Sequence, residues 1–557
     1  MQKSLHFYDY AVFLVYFIIV AGYGYYIYQK KKRATTDSKD FFLAEGSLTW
    51  WAIGASLIAS NISAEQFIGM SGSGFAMGLA ISTYEWMAAA TLLVVAIFFL
   101  PIYLKNKIYT MPQFLQQRYN QTVSTIMAVF WLLLYVVVNL TSILYLGALA
   151  ITTISGVNFY TCMVLLAVFA IFITLGGMKV IGYTDVIQVF FLILGGLATT
   201  YLALQLVASH FGESGVLKGF SLLTEHADDH FHMIFHKDNP HYLDLPGLSI
   251  LIGGMWIVNL NYWGCNQYIT QRALGADLKT ARNGLLFAGF LKMLMPIIVV
   301  LPGIAAYVLH QQGMFQAEMM KGGELNPDNA YPVLLNLLPV GLKGLAFAAL
   351  TAAVVASLAG KANSISTIFS LDIYKKIYNK DADEKQVVKV GRQVVVVAMI
   401  IAIVISNFLG IDKKGGFQFI QEYTGFVSPG VFSMFIMGFF WKRTNSSAAM
   451  FALIGGFILS IVLKFLPMWT DLSSLYDIGL ATANAKGVYE IPFIDRMGIV
   501  FVICIIGMVV ISLADPKSKH NPKGLDVDAG MFKTSAPFTI GALIICGLLV
   551  ALYTLYW

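Results

Sequence analysis

Charged residues are scarce in this chain. Lys, Arg, Asp and Glu together make up 12% of its 557 residues, while 58% are hydrophobic. Soluble domains carry about 25% charged residues, so this composition excludes an ordinary soluble protein. The apolar residues form continuous runs without the alternating polarity of barrel strands, which predicts a bundle of membrane-spanning helices.

Sequence signals for redox chemistry, ATP hydrolysis and catalysis are also missing. The four cysteines show no pairing or CxxC spacing, so they indicate no disulfide or redox site: Cys162, Cys265, Cys504 and Cys546. Gly360-Lys361-Ala362 lacks the upstream Gly and the Ser or Thr of a Walker A sequence. HExxH and a nucleophile paired with a base are absent at membrane depth. We therefore expect neither an enzyme nor an ATP-driven pump, and an ion gradient as the energy source for transport.

Apolar runs long enough to cross a bilayer, about 18 residues or more, recur along the whole chain. They predict an all-α membrane protein with about fourteen transmembrane helices, at 9–28, 51–72, 78–104, 122–152, 158–177, 183–207, 246–269, 283–309, 338–368, 390–409, 416–441, 446–467, 495–514 and 536–557.

The distribution of Lys and Arg between alternate loops predicts the orientation. These residues concentrate in the loops that lie inside if the N-terminus is outside, and the basic run Gln29 to Arg33 directly follows the first helix. Cytoplasmic loops carry such an excess, so we expect both termini outside. The basic residues that orient the protein in the membrane then account for the net charge of +6. The charge therefore does not indicate a nucleic-acid partner.

Two of the predicted helices contain polar, helix-weakening stretches at mid-depth. One runs from Ser60 to Gln66 and is followed by the glycine-rich stretch Gly69 to Gly74; the other runs from Asn259 to Gln267. Free backbone groups at that depth occur around a protein-lined cavity. Two interrupted helices therefore indicate a solute site at the bilayer midplane.

The interruptions fall in the second and seventh predicted helices, which are five helices apart. A five-helix repeat inverts its second copy, as in many secondary transporters. The predicted division is an N-terminal helix with a cytoplasmic loop at 1–50, a first inverted repeat at 51–207, an extracellular loop at 208–246, a second inverted repeat at 247–441 and three C-terminal helices at 442–557.

Five charged residues fall at membrane depth: Glu65, Glu85, Asp185, Lys292 and Lys361. Such residues face a cavity, a partner charge or a transported solute. A sugar site combines hydrogen-bonding groups with aromatic faces, and a suitable set is Gln66, Glu85, Asn259, Lys292 and Gln421, beside Tyr84, Tyr262, Trp263 and Phe417. Each amide side chain is explained equally well as a hydrogen-bonding contact between helices. Glu85 and Lys292 are also explained as a structural ion pair without a role in ligand binding.

The outer loop 208–246 contains six histidines, among them His226, His230, His232, His236 and His241. Two pairs have the i, i+4 spacing that suits a metal on one helical turn. No cysteine or paired carboxylate completes a metal site, so we favour a short amphipathic surface helix at the outer face.

Several stretches closely resemble the sodium/solute symporter family, and within it the bacterial sodium/galactose cotransporters. They are NISAEQFIGMSGSG (Asn61 to Gly74), Tyr84-Glu85-Trp86, GGMKVIGYTDVIQ (Gly176 to Gln188), Tyr262-Trp263-Gly264, Asn266-Gln267-Tyr268 and QEYTGFVSPG (Gln421 to Gly430). The resemblance implies a hexose carrier of the bacterial plasma membrane, coupled to Na⁺, working by alternating access as a monomer or homodimer.

The same resemblance assigns residues to the sugar site and its gates. The family's sugar ligands fall on Gln66, Glu85, Asn259, Lys292 and Gln421. Its inner gate falls on Tyr262, with Trp263 beside it, and its outer gate falls on Met70, Tyr84 and Phe417. A family serine one turn after the glutamate is Ala88 here, which leaves open which hexose is preferred.

The resemblance also implies a sodium site formed by the carbonyls of Ala59, Ile62 and Ala353 and by the hydroxyl of Ser357. A second serine of the family is Ala356 here, and loss of one oxygen ligand weakens the binding of a hard cation.

Lys361 is a second departure, since the family has an apolar residue there. It lies one helical turn from Ser357, and Asp185 matches a carboxylate thought to line the sodium exit route. We expect either that Lys361 pairs with Asp185 and its ammonium replaces Na⁺, or that it snorkels to the cytoplasmic interface. The alternatives to Na⁺ symport are therefore a Na⁺-independent or proton-coupled carrier of the same fold, and a sugar sensor that does not transport.

Overall fold

A computed structural model describes residues 5–30, 42, 48–321, 323–406, 408 and 416–557. Its main helices, in chain order, are α1 (Phe7–Lys30), α2 (Trp50–Asn61), α3 (Ser71–Met77), α4 (Thr83–Val94), α5 (Met111–Arg118), α6 (Gln121–Ser155), α7 (Phe159–Leu175), α8 (Gly177–His210), α9 (Val216–His226), α10 (Gly254–Gly264), α11 (Gln267–Leu274), α12 (Leu278–Gln311), α13 (Ala330–Asn336), α14 (Leu342–Tyr378), α15 (Glu384–Ser406), α16 (Gly416–Gly425), α17 (Ser428–Phe440), α18 (Ser446–Met468), α19 (Phe493–Ala514) and α20 (Ala536–Leu555).

Within the described ranges, the strands form two short antiparallel hairpins. β1 (Met320–Lys321) pairs with β2 (Glu324–Leu325), and β3 (Thr482–Ala483) pairs with β4 (Tyr489–Glu490). The predicted all-α architecture is confirmed.

Ten of the described helical spans are long and apolar enough to cross a membrane, and α7 and α17 are shorter apolar helices. One of the ten spans, Glu65–Lys105, joins α3 to α4, although Gly78 at its centre has a φ of +73° that ends α3. A count of continuous helices also omits membrane-spanning segments that are interrupted, such as α2 with α3 and α10 with α11. The predicted number of fourteen transmembrane helices therefore stays a prediction, and so do the predicted domain boundaries.

Both predicted helix interruptions are present, but each is shorter than its polar stretch. Between α2 and α3 the chain is extended at Ile62, and a π-helical turn, Glu65–Met70, then leads into α3. The glycine-rich stretch is helical. Its glycines serve close packing, since a Cβ at Gly74 would lie 2.8 Å from the Val300 carbonyl oxygen. Between α10 and α11 only Cys265 and Asn266 leave the helix.

A third interruption, at 426–427, separates α16 from α17 and was not predicted. The available signal was Pro429 at the start of α17, because a proline disfavours helical geometry in the residue before it.

Helix α12 packs against both halves of the first interrupted helix. A Cβ at Gly284 would lie 2.7 Å from the Ile53 side chain on α2, and a Cβ at Gly303 would lie 2.0 Å from the Ser71 carbonyl oxygen on α3. Small residues at such contacts let helix backbones approach closely, which favours association inside a membrane.

Both ends of the chain contact distant elements. Asp9 on α1 accepts hydrogen bonds from the backbone N–H groups of Gly341 and Gly344 at the start of α14, at 2.7 and 3.0 Å. The backbone N–H of Met233, in the predicted outer loop, donates to the carbonyl of Tyr556, at 2.7 Å. The basic residues 31–33 that support the predicted orientation lie outside the described residues.

The histidines of the outer loop make local contacts. His226 stacks on Phe211 with ring centroids 4.1 Å apart, and His230 Nε2 lies 3.1 Å from the Phe75 carbonyl oxygen. Within the described part of the chain, no group of three His, Cys, Asp or Glu side chains is placed to hold a metal.

Arg118 on α5 satisfies the carboxyl end of α17. Its guanidinium donates to the carbonyls of Gly438, Trp441 and Thr444 at 2.8–2.9 Å, and the residue is fully buried. Lys105, by contrast, forms an exposed ion pair with Asp528.

Arg118→Met leaves these buried carbonyls without a donor, so we expect it to destabilise the protein by about 2–4 kcal/mol. The measurement is the thermal midpoint of unfolding in detergent. Lys105→Met is the control and should cost less than about 1 kcal/mol, because an exposed ion pair contributes little. Equal shifts for the two variants would contradict the assigned role.

Candidate sugar and cation sites

The interruption between α2 and α3 brings several oxygen atoms together. The Ser357 hydroxyl on α14 lies 3.4 Å from the Ala59 carbonyl oxygen, 2.9 Å from that of Ser60 and 3.3 Å from that of Ile62. Three of the four predicted sodium ligands are therefore adjacent, and Ala353 lies one helical turn before Ser357. The Ser60 carbonyl was not predicted. Such a set of neutral oxygens has the chemistry that a hard cation requires.

Ala356 is fully buried next to Ser357. Its methyl group supplies no oxygen, so the site has one hydroxyl where the family has two.

Lys292 and Glu85 form an ion pair. Lys292 Nζ on α12 lies 2.5 Å from Glu85 Oε2 on α4, and their side chains are only 1% and 4% exposed. The ammonium also donates to Asn61 Oδ1 at the end of α2 and lies 5.2 Å from the ring centroid of Trp263. Sequence reasoning placed Glu85 and Lys292 in one site but did not identify Asn61 as their partner.

The three amides of the predicted sugar site differ in their surroundings. Gln66 Oε1 accepts from the backbone N–H of Ser63 at 2.9 Å, which is the capping-box contact at a helix start. Asn259 Nδ2 donates to the Met255 carbonyl one turn earlier, at 3.1 Å. Gln421 is half-buried on α16. Convergence of all three amides with Glu85 and Lys292 on one sugar stays a prediction.

The predicted outer gate is closed. The Tyr84 and Phe417 rings meet edge to face with centroids 5.0 Å apart, and Met70 is fully buried. A Cβ at Gly69 would lie 2.9 Å from the Phe417 Cβ, so α16 rests directly on the π-helical turn before α3. The predicted gate side chains are therefore packed against each other without a gap at this level.

Tyr262, the predicted inner gate, is half-buried and held by its hydroxyl. Asn61 Nδ2 donates to that hydroxyl at 2.9 Å, and the Tyr268 hydroxyl also bonds to it. Trp263 packs edge to face against the Tyr262 ring, with centroids 5.1 Å apart. Asn61 thus connects Lys292 directly to the gate tyrosine.

Asp185 has a different partner from the one expected. Its carboxylate accepts a 2.5 Å hydrogen bond from Ser56, which in turn accepts from Arg272 Nε at 2.8 Å, and the charges of Asp185 and Arg272 interact. The guanidinium also bonds to Ser60 and to the Tyr268 carbonyl. The expected pairing of Asp185 with Lys361 is wrong.

Arg272 was missed because the predicted helix 246–269 ends before it, which left it among the loop residues that precede the next predicted helix at 283. It lies instead on α11, the second half of the interrupted helix, and is 1% exposed.

Lys361 is enclosed by protein. It is 4% exposed, so it does not snorkel to the cytoplasmic interface. Its ammonium lies 5.1 Å from the ring centroid of Tyr268, and its charge interacts with that of Glu65. Glu65 is also buried, and in the part of the chain that the structure describes its Oε1 has no hydrogen-bond partner.

Comparison with known proteins identifies the family. Residues 41–456 match the pattern of the sodium:solute symporter family. A sodium/glucose cotransporter of Vibrio parahaemolyticus is 44% identical over 568 residues, which cover 100% of this chain and 99% of that protein.

The chain belongs to the sodium:solute symporter family.

A human relative, sodium/myo-inositol cotransporter 2, is 36% identical and aligns with 83% of this chain and 70% of its own length. The fold also matches that of a Na⁺-coupled sialic acid symporter, with a TM-score of 0.73 at 22% identity, covering 92% of this chain and 98% of that one. The predicted family membership and fold class are confirmed.

Tyr262→Phe removes the hydroxyl bonded to Asn61 and Tyr268, so we expect sugar uptake to fall about three- to tenfold, as loss of one or two hydrogen bonds implies. Tyr262→Ala also removes the ring and should impair uptake further, because the ring is the expected stacking surface. Initial uptake rates measure both. Tyr331→Phe, at a buried tyrosine that contacts Thr199, is the control. Equal losses for Phe and Ala would show that only the hydroxyl matters.

The partner of Asp185 is tested by a double-mutant cycle. Asp185→Asn and Arg272→Gln should couple by about 1–3 kcal/mol, because either change alone leaves a buried charge uncompensated. Asp185→Asn and Lys361→Met should be additive within about 0.5 kcal/mol. Thermal midpoints in detergent measure both cycles, and the reverse pattern would restore the pairing with Lys361.

Proposed function

We propose that this protein is a Na⁺-coupled hexose symporter of the bacterial plasma membrane. The observation that carries the proposal is the cluster of carbonyl oxygens, from Ala59 and Ile62, around the Ser357 hydroxyl. These carbonyls belong to residues within two positions of Asn61 in the chain. Asn61 in turn contacts Lys292 of the buried Lys292–Glu85 pair. One helix end thereby contributes to a cation site and a polar solute site. The name of the Vibrio relative, a sodium/glucose cotransporter, supports Na⁺ and a hexose as the two ligands.

The sugar site works by exchange of hydrogen bonds. Glu85 accepts from sugar hydroxyls and Lys292 donates to them, so a bound hexose replaces part of the contact that these two side chains make with each other. The Trp263 and Tyr262 rings offer apolar faces to the sugar ring. Ala88, which is buried on α4, offers no hydroxyl. Glucose and galactose are both candidates.

Transport proceeds by alternating access. With Tyr84 and Phe417 closed, release to the cytoplasm requires Tyr262 to move, which breaks its bond to Asn61. Na⁺ bound by the carbonyls of Ala59 and Ile62 fixes the same end of α2. Sugar and cation together therefore stabilise one arrangement of the interrupted helix, and a ligand shifts such an equilibrium only through its differential affinity for the two states.

The proposed orientation places both termini outside. The start of α1 contacts the start of α14, and the end of α20 contacts the loop 208–246, which the proposed orientation places outside. The chain acts as a carrier and not as an enzyme, with a small sugar, Na⁺ and lipid as its partners, as a monomer or homodimer.

A Na⁺-independent or proton-coupled carrier is the second candidate. Ala356 and the buried Lys361 favour it, because the sodium site has one hydroxyl fewer and a fixed cation lies one turn from Ser357. The contact of the Lys361 ammonium with the Tyr268 ring and its charge interaction with Glu65 place this charge in a separate cluster, which favours retention of Na⁺.

The deciding experiment is uptake of labelled glucose and galactose into proteoliposomes, with an inward gradient of Na⁺ or of choline. We expect uptake to require Na⁺. Ser357→Ala should raise the Na⁺ concentration for half-maximal uptake by about tenfold or more, the equivalent of about 1.4 kcal/mol of ligand binding. Ser433→Ala, at a buried serine bonded within α17, is the control.

Equal uptake with Na⁺ and choline would contradict Na⁺ coupling. Lys361→Met combined with Ala356→Ser would then be expected to create Na⁺ dependence, if the ammonium replaces the ion. Sugar binding without uptake under either gradient would identify a sensor.

A further inference from the structure

A cavity of about 480 Å³ lies on the outer side of the closed gate. It is bounded by the outer loop near Asp244, by α16 and α18, by the β3–β4 hairpin and by the start of α19. This volume falls in the range of about 300–1,000 Å³ that ligand pockets occupy.

Gln418 on α16 joins this cavity to the gate. It follows Phe417 directly and lines the cavity. The residue is only 9% exposed, and neither its amide nitrogen nor its amide oxygen has a hydrogen-bond partner among the described residues. Burying an amide without partners is costly. A ligand with both donors and acceptors would satisfy it.

Helix α16 presents different residues to the two sides of the gate. Gln418 and Glu422 are four residues apart on one face, and Phe417 and Gln421 are four apart on the neighbouring face. The first pair lines the outer cavity, and the second pair carries the gate and a predicted sugar ligand. A solute in the cavity therefore lies next to the element that must move to admit it.

The charges around the cavity balance. Its lining contains three acidic and three basic residues: Asp244, Glu422 and Glu490, with Lys464, Lys486 and Arg496. Glu422 is held by Lys464 and, at 2.7 Å, by Arg496, and Glu490 is held by Asn484. A lining with no net charge, in which Glu422 is ion-paired with Lys464 and Arg496, favours a neutral, hydrogen-bonding ligand over an anion or a cation.

We propose that this cavity is an outer binding site for a neutral hexose, distinct from the site at Lys292 and Glu85 and occupied while the gate is closed. Gln418 binds a hydroxyl pair through its amide, and the ion-paired groups bind the remaining hydroxyls. The identity of the ligand as a hexose rests on the proposed function.

The test uses the full-length protein in proteoliposomes with the central site disabled by Lys292→Ala. A cysteine is introduced by Ala485→Cys, at an exposed position that lines the cavity. D-glucose or D-galactose is then expected to slow its reaction with a membrane-impermeant maleimide, by about tenfold when the sugar is at about ten times its dissociation constant. Ala483→Cys, on an exposed residue of the same hairpin outside the lining, is the matched control and should show no protection.

Two further measurements define the ligand and its contact. Gln418→Leu should abolish the protection while leaving the labelling rate without sugar unchanged. Glucuronate, a charged hexose derivative, should not protect at the same concentration.

Several outcomes would overturn the outer site. They are absence of protection, protection only when Lys292 is intact, equal protection of Ala483→Cys, and protection that survives Gln418→Leu. Failure of the proposed transport function looks different, since flux would then be absent while protection at Ala485→Cys persists.

Discussion

Backbone polar groups freed at membrane depth must find partners inside the protein, and this requirement governs the centre of the molecule. The interruption after Asn61 frees the carbonyls of Ala59, Ser60 and Ile62. The Ser357 hydroxyl lies against all three and thereby fixes α14 to the end of α2. The same oxygens form the candidate cation site, so the group that stabilises the interruption also creates the functional geometry.

Helix α2 connects the two networks. Asn61 at its end reaches Lys292 and the predicted gate residue Tyr262. Ser56 and Ser60 accept hydrogen bonds from Arg272, and Ser56 donates to Asp185. A cation that shifts the final turn of α2 acts on both networks, because they share one rigid element. This arrangement gives coupling a physical basis in a few hydrogen bonds, without a separate transmitting domain.

The partners of buried charges were where sequence reasoning failed. Spacing placed Lys361 near Ser357, and that is correct along α14. Its partner depended on which side chains of other helices face it, and these are Tyr268 and Glu65 rather than Asp185. The sequence analysis did not identify Arg272 as a buried residue, because its position near the end of a predicted helix indicated a loop. The possible partners of a buried charge lie at different positions along the sequence, and only the packing of the helices decides which of them it contacts.

The sequence by itself determined the membrane class, the all-α architecture and the two polar interruptions, because hydropathy and rare charge are local properties that lipid makes decisive. It placed Glu85 and Lys292 in one predicted site but left open whether they form an ion pair. Its motifs also carried the family. Tertiary structure alone decided that the Gly69 to Gly74 stretch is helical and that α16 and α17 are separate. It also decided that Asn61 bonds to both Lys292 and Tyr262, and that Asp185 and Arg272 share the Ser56 hydroxyl. Each of these depends on which helices approach one another, and that approach is set by glycine contacts and hydrogen bonds between segments far apart in the chain.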